Sequence, residues 1–158
     1  MGNIQHNPVK LETIDFKQSV NNELDANREM YALFLVHGYT EAYLRDILYY
    51  IGQTKKEKKA NKVTEEFDRI GFKSLLTLHA ILGTFDDEPQ LYSKLEVLNK
   101  ARNEIAHNMI SIEHNNEKTK KEIKGIVKSG LDSCEKVYQK YKGALEKRAK
   151  SMGSVSTP

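Results

Sequence analysis

The chain has 158 residues, 39% of them apolar and 30% charged, with a net charge of +3. That length suits one domain, and the small positive excess excludes a histone-like polycation while permitting an anionic partner. Three prolines and nine glycines favour long helices over a turn-rich β fold, and a single cysteine, Cys134, excludes an internal disulfide framework.

No apolar run approaches the length of a membrane span. The segment Met1–His6 has neither the pattern of a signal peptide nor the Ser or Thr that a myristoylation signal places at position six. A cytoplasmic protein with no membrane partner is expected.

Residues 1–8 read as a flexible lead, with Pro8 suited to a helix start. One helical domain is expected over residues 9–150, an all-α, up-and-down bundle of about four to six helices, with a disordered tail over 151–158. The first helix is expected from Val9 to about Ala26, with Leu11, Ile14, Val20 and Leu24 apolar. From Met30 onward, Leu33, Phe34, His37, Leu44, Ile47, Leu48 and Ile51 recur at helical spacing. His37 and Glu41 fall inside that stripe, four apart and on one face. A carboxylate on a core-facing stripe needs a partner. Either it lies at a helix edge, or bonds to a nearby Tyr or to His37, or it orients a cation from another helix, with Arg102 as the candidate.

Residues 52–62 are dense in lysine. Lys55, Lys56, Lys58 and Lys59 read either as a solvated connector or as contacts to a nucleic-acid phosphate backbone, with no aromatic interleaved for base stacking. Thr64 suits an N-cap, with Phe67 and Ile70 apolar behind it and Gly71 as a stop. Lys73–Leu82 predicts a short helix through Leu75, Leu76, Leu78 and Ile81, ended by Gly83. Asp86 or Asp87 can cap the next helix, with Pro89 in its first turn. That helix reads Leu91, Leu95, Leu98, Arg102, Ile105. Thr119 can cap a final helix to about Lys150. Its stripe of Ile123, Val127, Leu131, Cys134, Tyr138, Tyr141 and Leu145 has a seven-residue rhythm that suits antiparallel packing. Cys134 on this stripe reads as a small buried hydrophobe. Tyr39, Tyr43, Tyr49 and Tyr50 read as packing or dimer-contact residues.

The chemistry concentrates in Lys100-Ala101-Arg102-Asn103-Glu104-Ile105-Ala106-His107. Arginine grips phosphate with a planar, permanently charged fork. Histidine as a residue type titrates near pH 6.5 and suits proton transfer. An amide can hold an imidazole or donate to a phosphate oxygen. Together these are the groups needed to cleave RNA without a metal: a base, a charge stabiliser and an acid. Asn103 and His107 share a helix face, whereas Arg102 and His107 point about 140° apart on an unbroken helix. Either the helix unwinds near His107 or the site draws groups from more than one chain. The irregular stretch from Asn108 to Asn116 favours an end close to His107. In the blandest reading, Arg102 and His107 only cap a helix C-terminus. His6, His37, His79, His107 and His114 show no metal-site spacing, and there is no glycine-rich phosphate loop or nucleophile elbow. No metal or cofactor is expected.

Arg102-Asn103-Glu104-Ile105-Ala106-His107 resembles the signature of the HEPN superfamily (higher eukaryotes and prokaryotes nucleotide-binding). That signature is an arginine, often a polar residue next, and then a histidine after four to six intervening residues; here there are four. The segment Leu33–Leu44 is similar to the family's second helix, where an acidic residue often faces the site. The resemblance implies a helical bundle that pairs through its motif-bearing helices. Two copies of the arginine and histidine would form one composite, metal-independent ribonuclease site at a homodimer cleft. His107 would carry the proton, Arg102 clamp the phosphate, Asn103 position the groups and Glu41 orient Arg102. It also implies a role in phage defence, toxin–antitoxin pairing or RNA processing, with an antitoxin or defence-system partner protein. In one toxin subfamily a tyrosine two residues after the histidine is modified by a nucleotidyltransferase antitoxin; Met109 stands there in this chain. Other members lack catalysis and serve as binding or scaffold modules, which is the alternative reading.

Overall fold

The computed structural model describes residues 15–53, 69–108 and 117–153. The expectations for Val9–Ile14, Lys55, Lys56, Lys58, Lys59, Thr64 and Phe67 lie outside these residues. Five helices are described: α1 Phe16–Asp25, α2 Glu29–Gln53, α3 Phe72–Ile81, α4 Pro89–Asn108 and α5 Glu117–Gly153. There is no strand among the described residues, and the architecture is the expected helical bundle. No described helix is long and apolar enough to cross a membrane.

Helix ends follow local chemistry. Asp15 caps α1 by accepting from the Gln18 amide at 3.0 Å. Asn27, at φ 55°, turns the chain out of α1, and the Arg28 amide reaches back to the Glu23 carbonyl at 2.8 Å. At the end of α3, Gly83 does the same at φ 71°. The Thr84 amide bonds the His79 carbonyl at 2.9 Å and the Gly83 amide bonds the Ala80 carbonyl at 3.1 Å. That pair of bonds is a Schellman closure, which favours a residue without Cβ at the left-handed position. Pro89 opens α4, where its missing N–H leaves no bond unmade. Neither Asp86 nor Asp87 caps α4. Asp87 is instead drawn to Lys140 on α5 at 2.6 Å, and Glu88 pairs with Lys136. The final helix starts at Glu117, two residues ahead of Thr119, and runs to Gly153.

α2 is the axis of the bundle and packs against the other four helices. Its side chains Ala32, Leu33, Val36, Tyr43, Leu44, Ile47, Leu48 and Tyr50 are all buried, more of its surface than one stripe supplies. α5 covers it with Ile123, Val127, Cys134, Val137 and Tyr141. The contacts set the directions. Gly130 meets Val36, and Tyr141 meets Tyr43 and Tyr50, so α5 runs parallel to α2. Gly130 also meets Leu98, and Lys140 meets Asp87, so α5 runs antiparallel to α4 as its rhythm suggests. A Cβ on Gly130 would come within 3.1 Å of Leu98, so this glycine sets the close approach of α5 to its neighbours. Each fully buried leucine contributes roughly 1.5–3 kcal/mol by leaving water. An aromatic cluster of Phe16, Tyr39, Tyr43, Tyr138 and Tyr141 joins α1, α2 and α5, with ring centroids 5.1–6.1 Å apart. Tyr39 and Tyr43 are therefore packing residues. Cys134 is fully buried, as its place on the stripe predicts.

Candidate functional site

α4 places the expected site residues. Its apolar stripe of Leu91, Leu95, Leu98, Ala101 and Ile105 turns inward, so the helix is held in register to its last turn. It is continuous from Pro89 to Asn108. It does not unwind before His107, because Ile105 is still anchored in the core.

This continuity separates two of the expected partners. Arg102 follows the buried Ala101 and faces α2, half-buried. Its guanidinium lies over the Phe34 ring, 5.7 Å from the centroid, and Nη1 donates to Asn103 Oδ1 at 3.1 Å. His107 is exposed and has no protein partner among the described residues. An open groove of about 710 Å³ runs between α3 and α4, lined by Lys73, Asn99, Lys100, Asn103, Glu104 and His107 among others. Arg102 lies outside that lining. Within one copy, Asn103 and His107 come together, and Arg102 and His107 do not.

Glu41 is engaged on its own helix. Its Oε1 accepts from Arg45 Nη2 at 2.5 Å, and the same nitrogen donates to the Ile70 carbonyl at 2.8 Å. Arg45 is one turn along the same helix, so it reaches Glu41 without any tertiary arrangement. Glu41 does not pair with Arg102.

His37 occupies the space between these groups. It is 5% exposed and stacks on Phe72 of α3 with ring centroids 4.2 Å apart. Its Nε2 lies 3.1 Å from Asn99 Oδ1 on α4, and its Nδ1 lies 3.7 Å from Glu41 Oε2. Burial holds its pKa below the ordinary 6.5; the Asn99 bond and the Glu41 charge pull upward, and the Arg102 charge adds to the depression. The imidazole is therefore uncharged at neutral pH.

Two participants escaped the sequence reading. Asn99 stands four residues before Asn103, and Arg45 four after Glu41. The same spacing rule that joins Asn103 to His107 reaches both. Among the described residues, no three His, Cys, Asp or Glu side chains are gathered as metal ligands are. No family model matches the chain, and no curated protein or solved structure matches it at a significant level.

Proposed function

We propose that the chain is a metal-independent endoribonuclease of the HEPN kind, acting as a homodimer through the C-terminal half of α4. The observation that carries the reading is the unbroken helix bearing Arg102, Asn103 and His107, with the histidine lining a groove and unpartnered among the described residues. His107 moves the proton of the ribose 2′-hydroxyl or of the leaving 5′-oxygen, and Arg102 stabilises charge on the phosphoryl oxygens. Because the two side chains diverge on one helix, the arginine acting with a given His107 comes from the second copy. Val97, 55% exposed on the same helix, gives that copy an apolar contact. Lys55, Lys56, Lys58 and Lys59 would add phosphate contacts. Phage defence, toxin–antitoxin pairing or RNA processing, in the cytoplasm, is the setting that fits such an activity.

The test is cleavage of a labelled mixed-sequence RNA in EDTA by the purified chain and by His107→Ala. Activity lost in the variant, with 2′,3′-cyclic phosphate and 5′-hydroxyl ends, supports the reading. Equal background from both folded, dimeric proteins on several RNAs refutes it.

A second reading is a binding or scaffold module with no turnover. The engagement of Arg102 by Asn103 and the Phe34 ring favours it, since that guanidinium already has partners within its own copy.

A further inference from the structure

Asn99, Asn103 and His107 follow one another at four-residue spacing, so they form a row along the groove between α3 and α4. The two amides of the row are held alike. Asn103 Oδ1 accepts from Arg102 at 3.1 Å, and Asn99 Oδ1 lies 3.1 Å from His37 Nε2. In each case the oxygen is engaged from within the protein, and the amide nitrogen has no protein partner among the described residues.

Asn99 is supported by His37. The His37 ring is clamped against Phe72 on α3, and its far nitrogen faces Glu41. A neutral imidazole carries one N–H, on one nitrogen or the other. Nδ1 lies 3.7 Å from Glu41 Oε2, beyond hydrogen-bond reach, whereas Nε2 lies 3.1 Å from Asn99 Oδ1, an oxygen that can only accept. The hydrogen stays on Nε2 and is donated to Asn99 Oδ1. The charged groups around this ring are Glu41, backed by Arg45, on α2 and Arg102 on α4; α3 presents Phe72.

We propose that Asn99 is an anion-binding residue of this groove, that His37 is the positioning residue which turns its amide N–H₂ toward the ligand, and that the ligand is a phosphodiester strand. Asn99 and His107 are a little over two helical turns apart, roughly 12 Å along the axis. A strand lying along the row therefore places one phosphate oxygen at Asn99 and another at the reacting end. Asn99 acts on where the strand lies, and His107 on the proton. The identity of the strand as RNA rests on the ribonuclease reading above; the donor at Asn99 does not.

The test uses the full chain and two probes, a 2′-O-methyl RNA decamer, which has no 2′-hydroxyl to attack with, and inorganic phosphate. Asn99→Ala is expected to weaken decamer binding roughly tenfold, the effect of one hydrogen bond to an anion. On cleavable RNA it raises KM more than it lowers kcat. Asn99→Asp, which sets a carboxylate against the phosphate, weakens binding further. His37→Gln keeps a donor for Asn99 Oδ1 and binds near wild type, whereas His37→Leu binds like Asn99→Ala. The Asn99 side-chain amide signals in ¹H–¹⁵N spectra shift on adding the decamer.

Unaltered decamer affinity in folded Asn99→Ala overturns the proposal, as does a fall in kcat with KM unmoved, or equal binding by His37→Gln and His37→Leu. If wild type cleaves no RNA yet phosphate or decamer moves the Asn99 amide signals, the ribonuclease reading fails and the Asn99 site stands. If cleavage depends on His107 while Asn99→Ala binds normally, the reverse holds.

Discussion

Arg45 Nη2 lies 2.5 Å from Glu41 Oε1 and 2.8 Å from the Ile70 carbonyl, so one guanidinium ties the middle of α2 to the approach to α3. The pair is partly shielded, with side-chain exposures of 21% and 27%. Glu41 is thus a structural carboxylate first. Glu41→Gln is expected to destabilise the chain by about 1–2 kcal/mol, less than a fully buried charged hydrogen bond because the pair is partly exposed and Gln can still accept. Urea denaturation reads this directly. RNA cleavage by the folded variant is expected to fall far less than with Arg102→Ala; a loss as deep as that variant's would restore Glu41 to the reacting site.

Arg102 offers the opposite balance. Its intrachain contacts are a bond to the adjacent residue and a ring contact with Phe34, worth about 1 kcal/mol together. Arg102→Lys keeps the charge and loses the fork. Cleavage is expected to drop roughly 10²-fold, with stability changed by no more than about 1 kcal/mol. Mixing inactive Arg102→Ala with inactive His107→Ala and allowing subunits to exchange is expected to recover activity. Exchange confirmed by mass spectrometry without recovery would contradict the shared site.

Acid is expected to weaken the fold through two buried histidines. His37 and His79 both have pKa values lowered below 6.5, chiefly by burial. His79 is fully buried; its Nε2–H donates to the Leu44 carbonyl at 2.8 Å, and Nδ1 accepts from the Thr84 hydroxyl at 3.0 Å. Between the depressed native value and 6.5 the unfolded chain binds protons that the native chain does not, so stability rises with pH across that window. This contribution is complete above 6.5 and is lost as pH falls toward the native values. Urea midpoints measured at about pH 7.5 and 5.5 should decrease on acidification, and the decrease should shrink in His79→Gln. A midpoint independent of pH over this interval would falsify the assignment.

Gly83 carries a conformational demand. At φ 71° an added Cβ is strained by the backbone alone, and it would also meet Asp86 Oδ2 at 2.7 Å. Gly83→Ala is expected to destabilise by about 1–2 kcal/mol, a fall in Tm of roughly 2–8 °C for a chain of this size. Calorimetry against Gly125→Ala, where nothing lies within 4 Å of the new Cβ, separates strain from the general effect of losing a glycine.

Cys134 should be inert while the chain is folded. Burial pushes its thiol up to about 12, against a weaker opposing bond with Thr40. At about pH 8 a thiol reagent is expected to label it only at the rate of unfolding, and immediately in strong urea. Rapid labelling of the native chain would show that α5 opens locally.

Much of the bundle was legible in the residue pattern. The spacing of Leu33, Leu44 and Ile47 marks α2, that of Leu91, Leu95 and Leu98 marks α4, and the repeat from Ile123 to Tyr141 marks α5. Pro89 and Gly83 punctuate the chain where local sterics require. The shared face of Asn103 and His107 followed from their spacing alone, since a helix repeats every 3.6 residues whatever surrounds it. The link from His37 to Asn99, the parallel course of α2 and α5, and the persistence of α4 through His107 did not follow. Each depends on how far one helix is rotated and slid against another. That is settled by the fit of side chains such as Val36, Leu98 and Gly130 across the whole core, and periodicity along a single helix carries no information about it.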